Sequence, residues 1–328
     1  PLGRKADKEL LERYQFLQKF LKESKEFGAQ RQESEKKAVA IALQNLARNS
    51  GYGDVTRLTW SMETELIKEL LPYLSPKEID GVEVYVQINE EGKSEIKQIK
   101  DGKELNSMPA KLKKHPYIEE LKAVHKKLKD QYTRSRIMLE QAMEDCTHFE
   151  ENELRKLMQN PVIWPLLKHL VFICNGQTGF YTDGLLITVN AVCLPLKPKD
   201  ELRIAHPTDL YTSGDWHAYQ KFLFDKSIRQ PFKQVFRELY VPTPEEIEAT
   251  QSRRYAGNQI QPQKTVAVLK GRRWVADYED GLQKIYYKEN IIATIYAMAD
   301  WFSPADIEAP TLEYVCFHNR KDYTLMKI

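Results

Sequence analysis

Apolar residues return at helical spacing along most of the first half of the chain. Leu10, Leu11, Tyr14, Leu17 and Leu21 recur every three or four positions, and so do Val39, Ile41, Ala42 and Leu46. That period marks helices with one buried face. Residues 6–50 are therefore predicted to form two helices, separated by the charged run 22–37. The residues Asn49-Ser50-Gly51-Tyr52-Gly53-Asp54 end the second with turn chemistry. A third amphipathic helix is predicted over 60–74, closed by Ser75-Pro76. The period then drops to two. Val82, Val84, Val86 and Ile88 alternate with polar residues, Asn89-Glu90-Glu91-Gly92 makes a turn, and Ile96 and Ile99 sit in the return. This predicts a small β-hairpin over 82–100. Helical spacing resumes over 117–146, with Leu121, Val124, Leu128, Tyr132, Ile137, Leu139 and Met143 as its apolar seam. Two short helices near 151–158 and 162–170 follow.

The second half mixes periods. Strands are predicted at 170–174 and 184–189, around Gly176-Gln177-Thr178-Gly179, with a helix over 215–228. The next stretch reads as a pinned helix. Pro231 suits a first helical position, where its missing N–H costs nothing. Phe232, Val235, Phe236 and Leu239 form one stripe, and Gln230, Lys233, Gln234, Arg237 and Glu238 form a polar face. Thr243-Pro244-Glu245-Glu246 opens another helix with acids placed for its dipole. A short helix over 263–270 and strands over 283–287, 291–298 and 312–318 complete the prediction. The fold class is α+β, with a helical N-terminal half carrying a small hairpin and a mixed C-terminal half. The expected partition is 4–160 and 161–328, the latter holding the His-Pro and Gln-Pro-Phe-Lys-Gln motifs.

Composition narrows the function classes. A chain of 328 residues exceeds one ordinary core. A net charge of +2 provides no global basic field for nucleic acid or an anionic membrane. The four cysteines, Cys146, Cys174, Cys193 and Cys316, form no close pair, which implies reduced thiols. No apolar run approaches the ~18 residues that mark a membrane span, and no signal peptide is visible. A cytoplasmic location without membrane contact is expected. The opening Pro-Leu-Gly reads as a tag remnant at 1–3, and the apolar ending as that of a fragment from a larger protein.

Several motifs occur in order. Leu46-Ala47-Arg48-Asn49 precedes Gly51-Tyr52-Gly53-Asp54 and Arg57-Leu58-Thr59-Trp60. Gly102-Lys103, Pro109-Ala110, Arg203-Ile204-Ala205-His206-Pro207, Gln230-Pro231-Phe232-Lys233-Gln234, Phe236-Arg237-Glu238 and Gly271-Arg272-Arg273-Trp274 follow. From about residue 40 onward the chain resembles the MolR-like bacterial family of domains of unknown function. The resemblance implies a larger parent protein, often carrying a WGR domain elsewhere. WGR domains also occur in DNA-break-sensing poly(ADP-ribose) polymerases, and one family member is named as a regulator of molybdate metabolism. The family supplies no catalytic residues, and the chain holds no Trp-Gly-Arg module of its own, so the DNA link is one of association.

The candidate chemistry carries two readings at each place. Lys233 and Arg237, one turn apart on a helix, would grip a phosphate together, while Gln230 and Gln234 would read a base or carboxylate. Alternatively the same side chains tie neighbouring elements together. His206 is either a general base, with Ser213, Asp209 or Asp215 nearby, or a hydrogen-bonded structural histidine; no nucleophile-elbow motif frames it. Trp216 or Tyr240 would stack on a base. Arg272, Arg273 and Trp274 combine phosphate contact with stacking, or else supply cations to a Gly-ended helix. Arg253-Arg254-Tyr255 is also locally cationic, whereas the Lys-rich run 122–129 reads as a salt-bridged solvent face. Cys146/His148 and Cys316/His318 share a C-x-H spacing uncommon in zinc sites. Asp277, Glu279 and Asp280 read as turn residues. No metal and no cofactor are expected. Three functions remain open: a noncatalytic interaction module associated with nucleic acid; an enzyme or binding domain for a nucleotide or ADP-ribose-type ligand, lined by His206, Gln230, Lys233 and Arg237; and a pure scaffold.

Overall fold

The leading helical patterns fold as predicted in a computed structural model that describes residues 4–277, 281–287, 289–299, 301–302 and 310–328. The expected tag remnant at 1–3 lies outside the described residues. Helices α1 (Arg4–Glu23) and α2 (Ala29–Asn49) are separated only by 24–28, so most of the charged run belongs to the helices themselves. Just past the end of α2 stands Gly51, whose φ of 79° suits glycine, and the Tyr52 N–H returns to the Ala47 carbonyl at 2.9 Å. Asp54 then caps α3 (Val55–Leu70) by accepting the Arg57 N–H at 2.8 Å. Leu10, Tyr14, Ala47, Leu58 and Met62 make a core among these three helices. The buried Tyr14 hydroxyl donates to Glu63 at 2.7 Å, and Arg134 completes that carboxylate at 2.7 and 2.9 Å. A buried charge needs such pairing.

The predicted hairpin is the centre of a four-stranded antiparallel meander. Its strands β1 (Lys77–Ile79), β2 (Val82–Ile88), β3 (Ser94–Lys100) and β4 (Lys103–Glu104) lie in sequence order. Val82, Val84 and Val86 pack with Leu121, Val124 and Leu128 of α4 (Pro116–Glu144). One member of the α4 seam is corrected. Ile137 is 38% exposed while Leu139 is fully buried. Residues two apart on a helix do not share a face.

After α4 come β5 (His148–Glu150), α5 (Glu151–Leu157) and α6 (Trp164–Leu167). Then follow β6 (Val171–Cys174), β7 (Gln177–Thr182), β8 (Leu185–Ile187), β9 (Cys193–Pro195) and β10 (Glu201–Ile204). They form a six-stranded sheet of order β5-β10-β6-β7-β8-β9. The turn between β6 and β7 is Asn175-Gly176, with φ of 49° and 77°, the pair of positive values that type I′ two-residue hairpins require. Gly179 lies within β7 instead, where a Cβ would come within 2.7 Å of the Ile187 carbonyl oxygen. Trp60, Phe149, Leu154, Phe172 and Leu202 pack together in the main core. Helices α7 (Pro207–Ser213) and α8 (Trp216–Asp225) follow.

The helix expected over 228–240 does not form. These residues adopt no regular element. Phe232 and Val235 of its stripe are buried, Phe236 is 47% exposed, and Gln234, assigned to the polar face, has no exposed surface.

The chain divides between Glu238 and Leu239 into two compact units. Pairing of β5 with β10 carries the first unit across the expected 160/161 partition. The second unit holds α9 (Pro244–Glu248), β11 (Gln251–Ser252), α10 (Pro262–Lys270), β12 (Val275–Asp277), β13 (Gly281–Tyr286), β14 (Ile291–Ala297) and β15 (Leu312–Asn319). Its antiparallel sheet has the order β11-β15-β14-β13-β12. The helix predicted from Thr243 forms as α9, and Thr243 and Glu246 close a capping box at its start. Helices dominate the first half and sheets the second, so the fold is α+β. No helix among the described residues is long and apolar enough to cross a membrane.

Candidate functional site

The Gln-Pro-Phe-Lys-Gln segment is consumed by the end of the six-stranded sheet. Gln234 Oε1 accepts the Val171 N–H at 2.9 Å. Its Nε2 donates to the Val171 carbonyl at 2.7 Å and to the Ala205 carbonyl at 2.8 Å. The side-chain amide thus pairs with Val171 as a residue of a neighbouring strand would, at the point where β10 ends. Gln230 Nε2 donates to the His169 carbonyl at 2.9 Å and to Gln234 Oε1 at 2.7 Å, and its Oε1 accepts the Val235 N–H at 3.0 Å. Trp216 Nε1 donates to the Val235 carbonyl at 2.6 Å. Leaving such buried groups unpaired costs about 1–3 kcal/mol each. That outweighs the gain of one more turn of helix.

Arg237 lies under α4. Its guanidinium pairs with Glu140 and, at 3.2 Å, with Glu144, while its Nε donates to the Lys233 carbonyl at 3.1 Å. Lys233 itself is exposed. Lys233 and Arg237 therefore do not form the phosphate grip expected of a helix face.

His206 caps α7. Its Nδ1 accepts the Thr208 N–H at 3.3 Å and lies 2.9 Å from Thr208 Oγ1. Burial, and next the Arg237 charge, hold the imidazole below its ordinary pKa, against the pull of Asp209. Burial pushes the Asp209 carboxyl up, but the Arg203 guanidinium and the His206 backbone N–H together hold it below its usual value. Arg203 Nη2 meets Asp209 Oδ1 at 2.7 Å. The other triad candidates are engaged elsewhere: Ser213 Oγ donates to the Leu210 carbonyl at 3.1 Å, and Asp215 accepts from Thr178 at 3.2 Å. The structure thus gathers Trp216, Gln230 and Gln234 round one strand end, with His206 and Arg237 beside it, as a bonded knot.

In the second unit, Arg272 and Arg273 are exposed and Trp274 is half-buried against Leu282, Ala297 and Trp301. Helix α10 ends at Lys270 with Gly271 as its C-cap residue, as expected. Gly271 stays right-handed at φ −62°, and Arg273 takes the left-handed position at φ 67°. The Trp274 N–H then returns to the Leu269 carbonyl at 3.1 Å, and the side chain packs against the core of this unit. Tyr240 shares a hub with Glu246, Ser252 and Arg254, whose guanidinium meets Glu246 at 2.6 Å. Hydrogen bonds from Ser252 and Tyr240 push the Glu246 carboxyl down to about 2. None of the four cysteines is in a disulfide. Among the described residues, no three His, Cys, Asp or Glu side chains converge as a metal site would require. The acidic set Asp277, Glu279 and Asp280 falls on side chains outside those described.

Sequence reasoning missed one groove. A cleft of about 580 Å³ opens between β3 and α4, lined by Lys93, Ser94, His125, Lys129, Tyr132 and Thr133, with Glu95 and Ile96 beside them. Ser94 Oγ lies 3.0 Å from His125 Nδ1 and 3.3 Å from the His125 carbonyl oxygen. Burial and then Lys129 hold the His125 imidazole below its ordinary pKa, opposed by Glu95. Lys93 pairs with Glu91 at 2.5 Å, and Glu95 with Lys97 at 3.5 Å. The available signal was the spacing of 125, 129, 132 and 133, which places them on one side of a helix. It lay hidden in a lysine-rich run that reads as a solvent face.

These features define an α+β protein of two compact units. The chain belongs to the family described as Domain of unknown function (DUF4132), which matches residues 102–274, just over half of its length. A second match, Family of unknown function (DUF5724), covers residues 1–62. No curated protein and no solved structure matches the chain.

Proposed function

We propose that this chain is a noncatalytic interaction module of a larger cytoplasmic, regulatory or stress-linked protein, associated with nucleic acid. The observation that supports it is the fate of the motif side chains. Gln230, Gln234, Trp216 and Arg237 spend their donors on backbone carbonyls and carboxylates of the same unit. Groups committed in this way hold a surface in shape rather than turn over a substrate. The same bonding weighs against a nucleotide or ADP-ribose pocket lined by His206, Gln230, Lys233 and Arg237. Lys233, Arg272 and Arg273 remain on the outside, where cations can meet phosphates. The MolR-like resemblance and its WGR company support the nucleic-acid association and the larger parent.

Fluorescence anisotropy with labelled single- and double-stranded oligonucleotides tests the reading. Binding should weaken steeply as salt rises, and Arg272→Ala with Arg273→Ala should reduce the salt slope by about one for each phosphate left without its cation. Absence of binding at low salt would remove nucleic acid from the proposal.

A further inference from the structure

We propose that the groove between β3 and α4 binds a phosphate-bearing small molecule, with Lys129 and Lys93 as its cations and the Ser94–His125 pair as its neutral polar wall. The volume of about 580 Å³ falls within the range of about 300–1,000 Å³ typical of small-molecule sites. The charge arrangement selects an anion. Each nearby carboxylate already has a lysine of its own: Glu91 has Lys93, and Glu95 has Lys97. Lys97 is further held by Glu104 at 2.8 Å. Lys129 has no ion-pair partner among the described residues and lines the same space. The Lys93–Glu91 pair is largely exposed, at 53% and 42% of the two side chains, and such a pair contributes little. Lys93 can therefore turn to a phosphate at low cost.

The neutral wall fits the same ligand. Burial and Lys129 favour the uncharged form of His125, so the ring adds little further charge to the two lysines. Ser94 Oγ engages the ring at Nδ1, so Nε2 is the ring nitrogen left to meet a ligand. Tyr132 packs against both neighbouring cores and gives the groove a rigid aromatic side. The site is separate from the motif knot and does not depend on the nucleic-acid reading.

A thermal-shift titration of the full chain at constant ionic strength tests this, with adenosine 5′-monophosphate and inorganic phosphate as probes and adenosine as the control. Both phosphate probes should raise the unfolding midpoint and adenosine should not, because only a ligand of the folded state stabilises it. Lys129→Ala, at an exposed position, should fold normally by circular dichroism and weaken the apparent affinity about tenfold or more, the loss of one charged hydrogen bond. Lys126→Ala, one position outside the groove lining, should keep the wild-type response. The proposal is overturned if neither phosphate probe shifts the midpoint, if inorganic phosphate acts but the nucleotide does not, or if Lys129→Ala and Lys126→Ala behave alike.

Discussion

Leu121, Val124 and Leu128 on α4 recur at the same three- and four-residue spacing as Phe232, Val235 and Leu239 after α8. The first set lines a 29-residue helix and the second lies on irregular backbone. On α4, each turn satisfies the next and the stripe has only to find a core. The later segment runs beside Val171 and Ala205, whose backbone groups lie beyond the last residue of β10. Gln234 serves those groups, and Gln230 the His169 carbonyl, from backbone that has left the helix. Apolar spacing reports which residues seek burial. The element that results depends on whose backbone bonds remain unmet nearby.

Substitutions can break or sharpen this contrast. The largest effect is expected at Gln234. Gln234→Ala leaves the Val171 N–H without its partner and removes donors from two carbonyls, and should cost about 3–5 kcal/mol in urea unfolding. That would equal or exceed Leu139→Ala in the α4 seam, expected at about 2–5 kcal/mol. A cost below about 1 kcal/mol at Gln234 would mean that the amide is not structural. Next comes the stripe itself. Phe232→Ala should destabilise by about 3 kcal/mol, whereas Phe236→Ala should stay within about 0.5 kcal/mol. A helix would make the two losses similar, so equal values would restore the pattern-based reading.

The smallest effect is a pH slope. His206 has a depressed pKa in the folded chain, so the unfolded chain takes up the proton first. Its contribution is fully present above the ordinary imidazole value of about 6.5 and is lost as pH falls through that range toward the folded value. His206→Asn keeps a capping side chain and should flatten the stability profile of unit 1 between about pH 7 and 5. An unchanged slope would place the titrating group elsewhere, and His125 and His169, which burial also depresses, would be next to examine.

Much of the fold was legible because long elements advertise themselves. The three leading helices, the hairpin, α4 and the closing strands all run over six or more residues, long enough for a pattern to show. The short strands β5, β9, β10 and β11 carry two to four residues each, too few for a period to show. The site was less legible. Tying Gln234 to Val171 joins positions 63 apart, and no local pattern encodes that pairing. Ser94 and His125 are 31 apart, brought together only when the meander lies on α4. Arg273 shows a third limit: it takes the left-handed conformation just before the packed Trp274, while Gly271 two positions earlier stays right-handed.

The Gln234 amide also sets a chemical lifetime. Glutamine side chains hydrolyse slowly to glutamate. At this position the change would replace a donor to two carbonyls with an anion facing them, turning attraction into repulsion. Hydrolysis needs water at the side-chain carbonyl, and Gln234 has no exposed surface. A folded molecule therefore protects the bond on which its sheet end depends. A molecule that lingers unfolded risks losing it permanently, so ageing at this single residue would divide a population into chains that can refold and chains that cannot.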